Sequence, residues 1–176
     1  EADIGKILAL SSVPRERLFI TTKIDPQNLN QKHFLPSLEQ SLRDLKQDFV
    51  DLLLIHWPSQ TIALEESLDL LQEAREKHYC RLIGVSNFNL ELLQRVENYK
   101  VDIACNQFEY HPLLDQSKLL AKTRSMGCFA TAYSPIARGM VNDEPVLKEI
   151  AAYKRKTPAQ IALRWLVQQE EVVAIP

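Results

Sequence analysis

Six apolar runs, each closing on a polar residue or a proline and separated from the next by a helix-patterned stretch, constrain this chain more than any other feature. They read LFITTK (Leu18 to Lys23), VDLLLIH (Val50 to His56), RLIGVSN (Arg81 to Asn87), DIACNQ (Asp102 to Gln107), FATAYS (Phe129 to Ser134) and VVAIP (Val172 to Pro176). Strands buried on both faces carry near-continuous Val, Ile and Leu, the mark of a parallel sheet. A parallel sheet whose strands alternate with helices tends to close into a barrel, with the active site at the carboxyl ends of the strands. The pattern predicts an α/β fold, a (β/α)8 TIM barrel with about six of its eight strands present. It places Lys23, His56, Ser86, Asn87, Gln107 and Tyr133 around one mouth.

Between the runs, apolar residues recur at helical spacing. Ile4, Ile7 and Leu8 predict a helix over Ala2 to Leu10; Phe34, Leu35, Leu38, Leu42 and Leu45 predict another over Asn30 to Lys46, with Pro36 tolerable only near its first turn. Leu68, Leu71 and Ala74 predict a helix from Leu64 to Lys77, and Asn89 is a natural N-cap for Leu90 to Asn98. Asp115 can cap the next helix and Gly127 end it. Two further helices follow, Pro145 to Lys154 and one opened by Thr157 as N-cap with Pro158 at its first position. No GxGxxG is present, which argues against a Rossmann nucleotide site.

Composition narrows the function classes. A net charge of −2 advertises no basic surface for nucleic acid or anionic lipid. No apolar stretch approaches the roughly 20 residues that span a bilayer. Three widely spaced cysteines, Cys80, Cys105 and Cys128, without a CxxC pair, read as free thiols of a reducing cytosol; no metal site is expected. A complete barrel takes about 250 residues, and this chain has 176. Residues 1–176 are therefore read as one partial barrel domain, short of two strands and at least one helix.

Each polar strand end has an ordinary reading beside a functional one. Lys23 is either a surface lysine or a partly buried ammonium that depresses the pKa of a neighbouring acid. His56 is either a hydrogen-bonded core residue or, before Trp57 and Pro58, part of a shaped apolar pocket mouth. His33 and His78 read as solvated, and His111, before Pro112, as structural. Ser86 and Asn87 can cap a helix, but with Gln107 and the flat ring of Tyr133 they also suit a planar polar heterocycle bearing a carboxamide.

The segments RERLFITTK, DLLLIHWP, LIGVSNF, NQFEYHP, AYSPIARG and TPAQIALRW resemble the aldo-keto reductases in order and spacing over the whole of Glu1 to Pro176. Within that family the pattern is nearest the prokaryotic-type diketo-gluconate and methylglyoxal reductases. The resemblance implies a (β/α)8 barrel binding NADP(H) in extended form. It makes Lys23 and His56 two members of an Asp-Tyr-Lys-His catalytic set. Ser86, Asn87 and Gln107 resemble the holders of the nicotinamide carboxamide, Tyr133 the ring stacked on it, and Ser134, Pro135, Ile136 and Arg138 the loop beside the pyrophosphate. Trp57 corresponds to a pocket wall, and Asp25 stands where relatives often carry tryptophan; with His56 these face the substrate.

Glu1 resembles the last residue of the family's Tyr-x-Asn-Glu segment, so the catalytic tyrosine and aspartate are expected before it. The residues that clamp the 2′-phosphate are expected after Pro176. The implied function is reduction of small aldehydes, ketones or keto sugars to alcohols by hydride transfer, in a cytoplasmic protein that is monomeric when complete. Residues 1–176 alone are expected to be inactive. The alternatives are a cofactor-sensing or regulatory barrel without turnover, or an inactive truncated product.

Overall fold

The computed structural model describes residues 1–176. Their contacts gather into two compact units, the first formed by Glu1–Ser86 with Arg95–Ala104, the second by Asn87–Gln94 with Cys105–Pro176. All six apolar runs contribute a strand, three to each unit.

In the first unit, helix α1 (Ala2–Leu10) leads to β1 (Thr21–Ile24), α2 (Phe34–Leu45), β2 (Val50–Ile55), α3 (Leu64–Glu76) and β3 (Cys80–Ser86). The strands pair in parallel, β1 on β2 and β2 on β3, with Lys23 opposite Leu54 and Leu54 opposite Gly84. β2 is buried at every position, as its unbroken apolar run requires. Helix α2 packs on β1 and α3 on β2 and β3, burying Phe34, Leu38, Leu42 and Leu45 from one and Leu68, Leu71 and Ala74 from the other. Helix α1 has its predicted bounds but not its predicted face: Ile7 is 68 % exposed, and the helix meets α2 through Gly5. A Cβ there would stand 2.0 Å from the Asp44 carbonyl oxygen, so only glycine permits this approach.

At the start of β2, Asp51 is buried as a shared anchor. Its carboxylate pairs with Arg15 at 2.8 Å and Arg81 at 3.3 Å and accepts the Ile20 N–H at 2.8 Å. Both guanidiniums also lie over the Phe49 ring, 4.3 and 4.6 Å from its centroid. This cluster occupies the end of the strand opposite His56, where a parallel α/β unit invests in stability.

Helix α4 (Leu90–Tyr99) divides between the two units, with Asn89 Oδ1 accepting the Leu92 N–H as the predicted N-cap. The second unit continues with β4 (Cys105–Glu109), α5 (Ser117–Ser125), β5 (Phe129–Tyr133), α6 (Pro145–Lys154), α7 (Pro158–Val167) and β6 (Val172–Ile175). β4 pairs with β5 and β5 with β6, again in parallel. Phe108, Ala130, Ala132 and Val172 turn one face of these strands toward Leu120 of α5 and Leu166 of α7. Thr157 closes a full capping box with Gln160, and Pro158 follows at the first helical position. Gly127, with φ +72°, ends the α5 region as expected, whereas the N-cap position is Gln116; Asp115 caps from one residue further out, accepting the Ser117 N–H.

Two strands are displaced from their predicted bounds. β1 begins at Thr21 rather than Leu18, because a 3-10 turn over Arg15–Arg17 precedes it and its pairing starts where Thr21 meets Leu52; Phe19 is left 60 % exposed. β4 starts at Cys105 rather than Asp102 and runs on to Glu109. No helix is long and apolar enough to cross a membrane, and the three cysteines are buried without a disulfide.

Candidate active site

In the first unit the polar groups gather at the carboxyl ends of the strands. Lys23 is the third residue of β1, half-buried, and shares a face with Leu54 and Gly84 through the register. A period of two carries that face on to Asp25, His56 and Ser86. The His56 N–H donates to the Ile24 carbonyl at 3.0 Å, which holds His56 beside the turn into Asp25. Asp25 is itself fixed as the N-cap of a 3-10 turn, its Oδ1 accepting the Gln27 N–H at 2.9 Å. Ser86 is buried at the end of β3, and Trp57, next to His56, is 48 % exposed.

Electrostatics decide what His56 can do. Partial burial of its ring is the largest influence and lowers its pKa below the usual 6.5, the Lys23 ammonium lowers it further, and the Asp25 carboxylate opposes both. The imidazole is therefore mainly neutral at pH 7, a form that carries one donor and one acceptor nitrogen. A neutral donor beside an ammonium can polarise a carbonyl oxygen without losing its proton to bulk water.

The second unit supplies neutral groups. Gln107 lies in mid-strand rather than at a strand end, since β4 extends two residues further. It belongs to the face opposite the helices, in register with Thr131 and Val173, and the next row on that face is Glu109, Tyr133 and Ile175. Asn87 takes a left-handed backbone, φ +63°, which asparagine tolerates better than most residues. Its N–H donates to the Gln107 carbonyl at 2.7 Å, and its Oδ1 accepts from the Tyr133 hydroxyl at 2.8 Å. Gln107 is 4 % exposed. Burial, reinforced by the Glu109 charge and opposed by Arg138, raises the Tyr133 pKa, so its hydroxyl stays protonated and can donate.

Beyond Tyr133 the chain is strained. Ser134, Ala137 and Arg138 all have φ near +50°, and Gly139 follows at +95°. Each non-glycine residue held there costs about 1–3 kcal/mol, and such strain collects at functional loops. The buried Ala137 anchors the loop against Val141, Leu147 and Ala162; Pro135 is buried, Ile136 packs on the same cluster, and Arg138 is exposed.

One residue of this face was missed by sequence reasoning. Glu109 lies one pleat beyond Gln107 and beside Tyr133, and extending β4 by the strand period would have found it. His111 is buried against it, with Nε2 at 3.4 Å from Glu109 Oε1 and Nδ1 accepting the Leu113 N–H. His33 and His78 are exposed.

The site can be set beside known proteins. All of residues 1–176 match the model of a family described as the Aldo/keto reductase family. The methylglyoxal reductase DkgB of Escherichia coli O157:H7 is 40 % identical over 173 residues, covering 94 % of this chain and 63 % of its own. A solved structure of a candidate 2,5-diketo-D-gluconic acid reductase B superimposes with a TM-score of 0.93 at 41 % identity, over 99 % of this chain and 63 % of that one. An aldo-keto reductase from Klebsiella pneumoniae in complex with NADPH gives 0.89 at 26 % identity, over 99 % and 63 %. The chain thus spans about 63 % of the length of the curated relatives it matches.

Proposed function

The chain belongs to the aldo/keto reductase family, with six strands of that family's (β/α)8 fold, and from this premise we propose that the protein reduces small aldehydes and ketones with NADPH. The observation that carries the cofactor half of the reading is the grouping of the buried Gln107, the Asn87 carboxamide and the Tyr133 ring, Asn87 being joined to Gln107 through its N–H and to Tyr133 through its Oδ1. Two carboxamides and a flat ring fit the edge and face of a nicotinamide, and the NADPH in the Klebsiella neighbour favours that cofactor.

The bound cofactor would supply a hydride from C4 of its nicotinamide to the carbonyl carbon. In this reading Ser86, Asn87 and Gln107 hold its carboxamide, Tyr133 stacks on the ring, and Ser134, Pro135, Ile136 and Arg138 lie along the pyrophosphate. The neutral His56 donates to the substrate carbonyl oxygen, which gathers negative charge as the carbon accepts the hydride. The Lys23 ammonium lowers the pKa of the group that then protonates that oxygen. Trp57 walls the substrate pocket and Asp25 borders it. DkgB's naming as a methylglyoxal reductase supports small dicarbonyls and related keto sugars as substrates. We place the protein in the cytosol, acting as a monomer.

The test is NADPH binding by fluorescence quenching, paired with NADPH oxidation by methylglyoxal, on the whole protein. Tight binding with turnover is expected. Binding without turnover of any small carbonyl would favour a cofactor sensor, and absence of binding would remove the reading altogether.

A further inference from the structure

We infer that the cleft between α6 and α7 binds an organic anion with an apolar body, a fatty carboxylate of medium chain length. The cleft encloses about 690 Å³, a volume ordinary for a small-molecule site. Its lining comes from α6, α7 and the residues at their ends, in the helical layer of the second unit. Gln107 and Tyr133 belong to the other face of the sheet, so an anion held in the cleft would touch none of the groups assigned to NADPH.

Helical spacing makes the cleft two-sided. Ile161 and Trp165 stand one turn apart on α7, both half-buried, with the Trp165 ring set edge-on against Tyr110 at 5.2 Å. Gln160, Arg164 and Gln168 repeat at the same interval along the adjoining, exposed side. From α6, Ile150 and Lys154 form a matching pair, and Ile150 continues the apolar surface toward the exposed Val146 and Tyr153. Lys156 stands in the short turn that joins the two helices.

The charge of the cleft has one sign. Lys154, Lys156 and Arg164 border it and no acid does; none of the three is in an ion pair, and Lys154 lies over the Tyr153 ring at 5.1 Å. In a chain of net charge −2, such a grouping creates a local positive potential. A guanidinium offers a carboxylate two parallel N–H donors. An alkyl chain can meanwhile cover Ile150, Ile161 and the Trp165 ring, removing apolar surface from water. A small inorganic anion would leave that wall bare, and a neutral lipid would leave the cations unused. An amphipathic anion satisfies both.

The test is calorimetric titration of the whole protein with decanoate, below the concentration at which it forms micelles. Arg164→Gln should weaken binding about tenfold, the low end for a hydrogen bond to a charged group because Arg164 is exposed. Ile150→Glu sets a second carboxylate against that of the ligand and should weaken it by at least the same factor. Both positions are on the surface, so thermal unfolding should match the wild type. Decanol keeps the chain without the charge: its affinity should change by less than about twofold in Arg164→Gln. Acetate keeps the charge without the chain and should not compete with decanoate.

Decanoate binding that neither substitution changes would place the fatty anion elsewhere and overturn the inference. Equal weakening of decanol and decanoate in Arg164→Gln would also overturn it, since the arginine would then act by packing alone. Absence of decanoate binding to the wild type would overturn it too, and a dimer that Ile150→Glu dissolves in sedimentation would then assign the cleft to a second copy of the chain.

Discussion

At the carboxyl ends of β1 and β2 the polar groups are charged or titratable and partly open to solvent: Lys23, Asp25 and the lowered-pKa His56. Around β4 and β5 the Asn87 and Gln107 amides and the Tyr133 phenol are neutral, Gln107 buried and the other two half-buried, with the Glu109 carboxylate beside them. The contrast follows from what each set is suited to do. Charge tunes proton affinity over several ångströms and is useful where a proton moves. Neutral hydrogen bonds are directional, and burial sharpens them, which suits recognition of a fixed planar group. Under the proposed function, the first unit supplies the chemistry and the second the holding.

The largest expected effect separates these roles. In the whole protein, Lys23→Met should lower turnover about 10²- to 10⁴-fold, as loss of a group that tunes proton transfer does, with NADPH affinity nearly unchanged. A parallel loss of NADPH binding, measured by fluorescence, would break the division.

Next comes a change that should touch neither role. Asp51→Ala strips the carboxylate shared by Arg15 and Arg81 from the far end of β2. Breaking a buried ion pair costs about 3–5 kcal/mol, and the low end applies because Arg81 is exposed. Chemical denaturation should show that loss, while kcat of the folded fraction stays at the wild-type value. A fall in kcat would mean the two ends of β2 are not independent.

Tyr133→Ala removes ring and hydroxyl together and should weaken NADPH about tenfold, near the upper range of one aromatic contact. Unchanged binding would leave the second unit without its holding role.

Much of this architecture was legible in the sequence, and the failures have physical causes. α6 and α7 have the bounds their own residues dictate, since Pro145, Thr157 and Pro158 act within one turn. β1 and β4 were misplaced because strand limits are set by partners distant in sequence: Thr21 starts pairing where β2 offers Leu52, and Glu109 extends β4 because β5 reaches Tyr133. The apolar face of α1 was read correctly as periodic but not as exposed, because only the contact at Gly5 shows where the helix lies. For the site, residue types and strand ends could be read off the chain. The Tyr133–Asn87 hydrogen bond could not, since it joins positions 46 apart.

The smallest predicted effect is on pH dependence. His56 titrates below its ordinary 6.5, so kcat/KM should be flat through neutrality and fall only in acid, as the imidazole gains a proton. Asp25→Asn removes a charge that raises the His56 pKa, so the acid limb should move to lower pH; Lys23→Met should move it higher. An acid limb that ignores both substitutions would show that another group governs it.

The division of labour is tested most directly by measuring kcat and NADPH affinity together in two variants of the whole protein, His56→Ala and Gln107→Leu. Leucine at 107 keeps most of the volume of the glutamine and removes its amide. The account predicts a crossed result: His56→Ala loses most of its turnover and keeps its affinity, whereas Gln107→Leu loses affinity and keeps turnover at saturating NADPH. Both variants losing both quantities in parallel would contradict it.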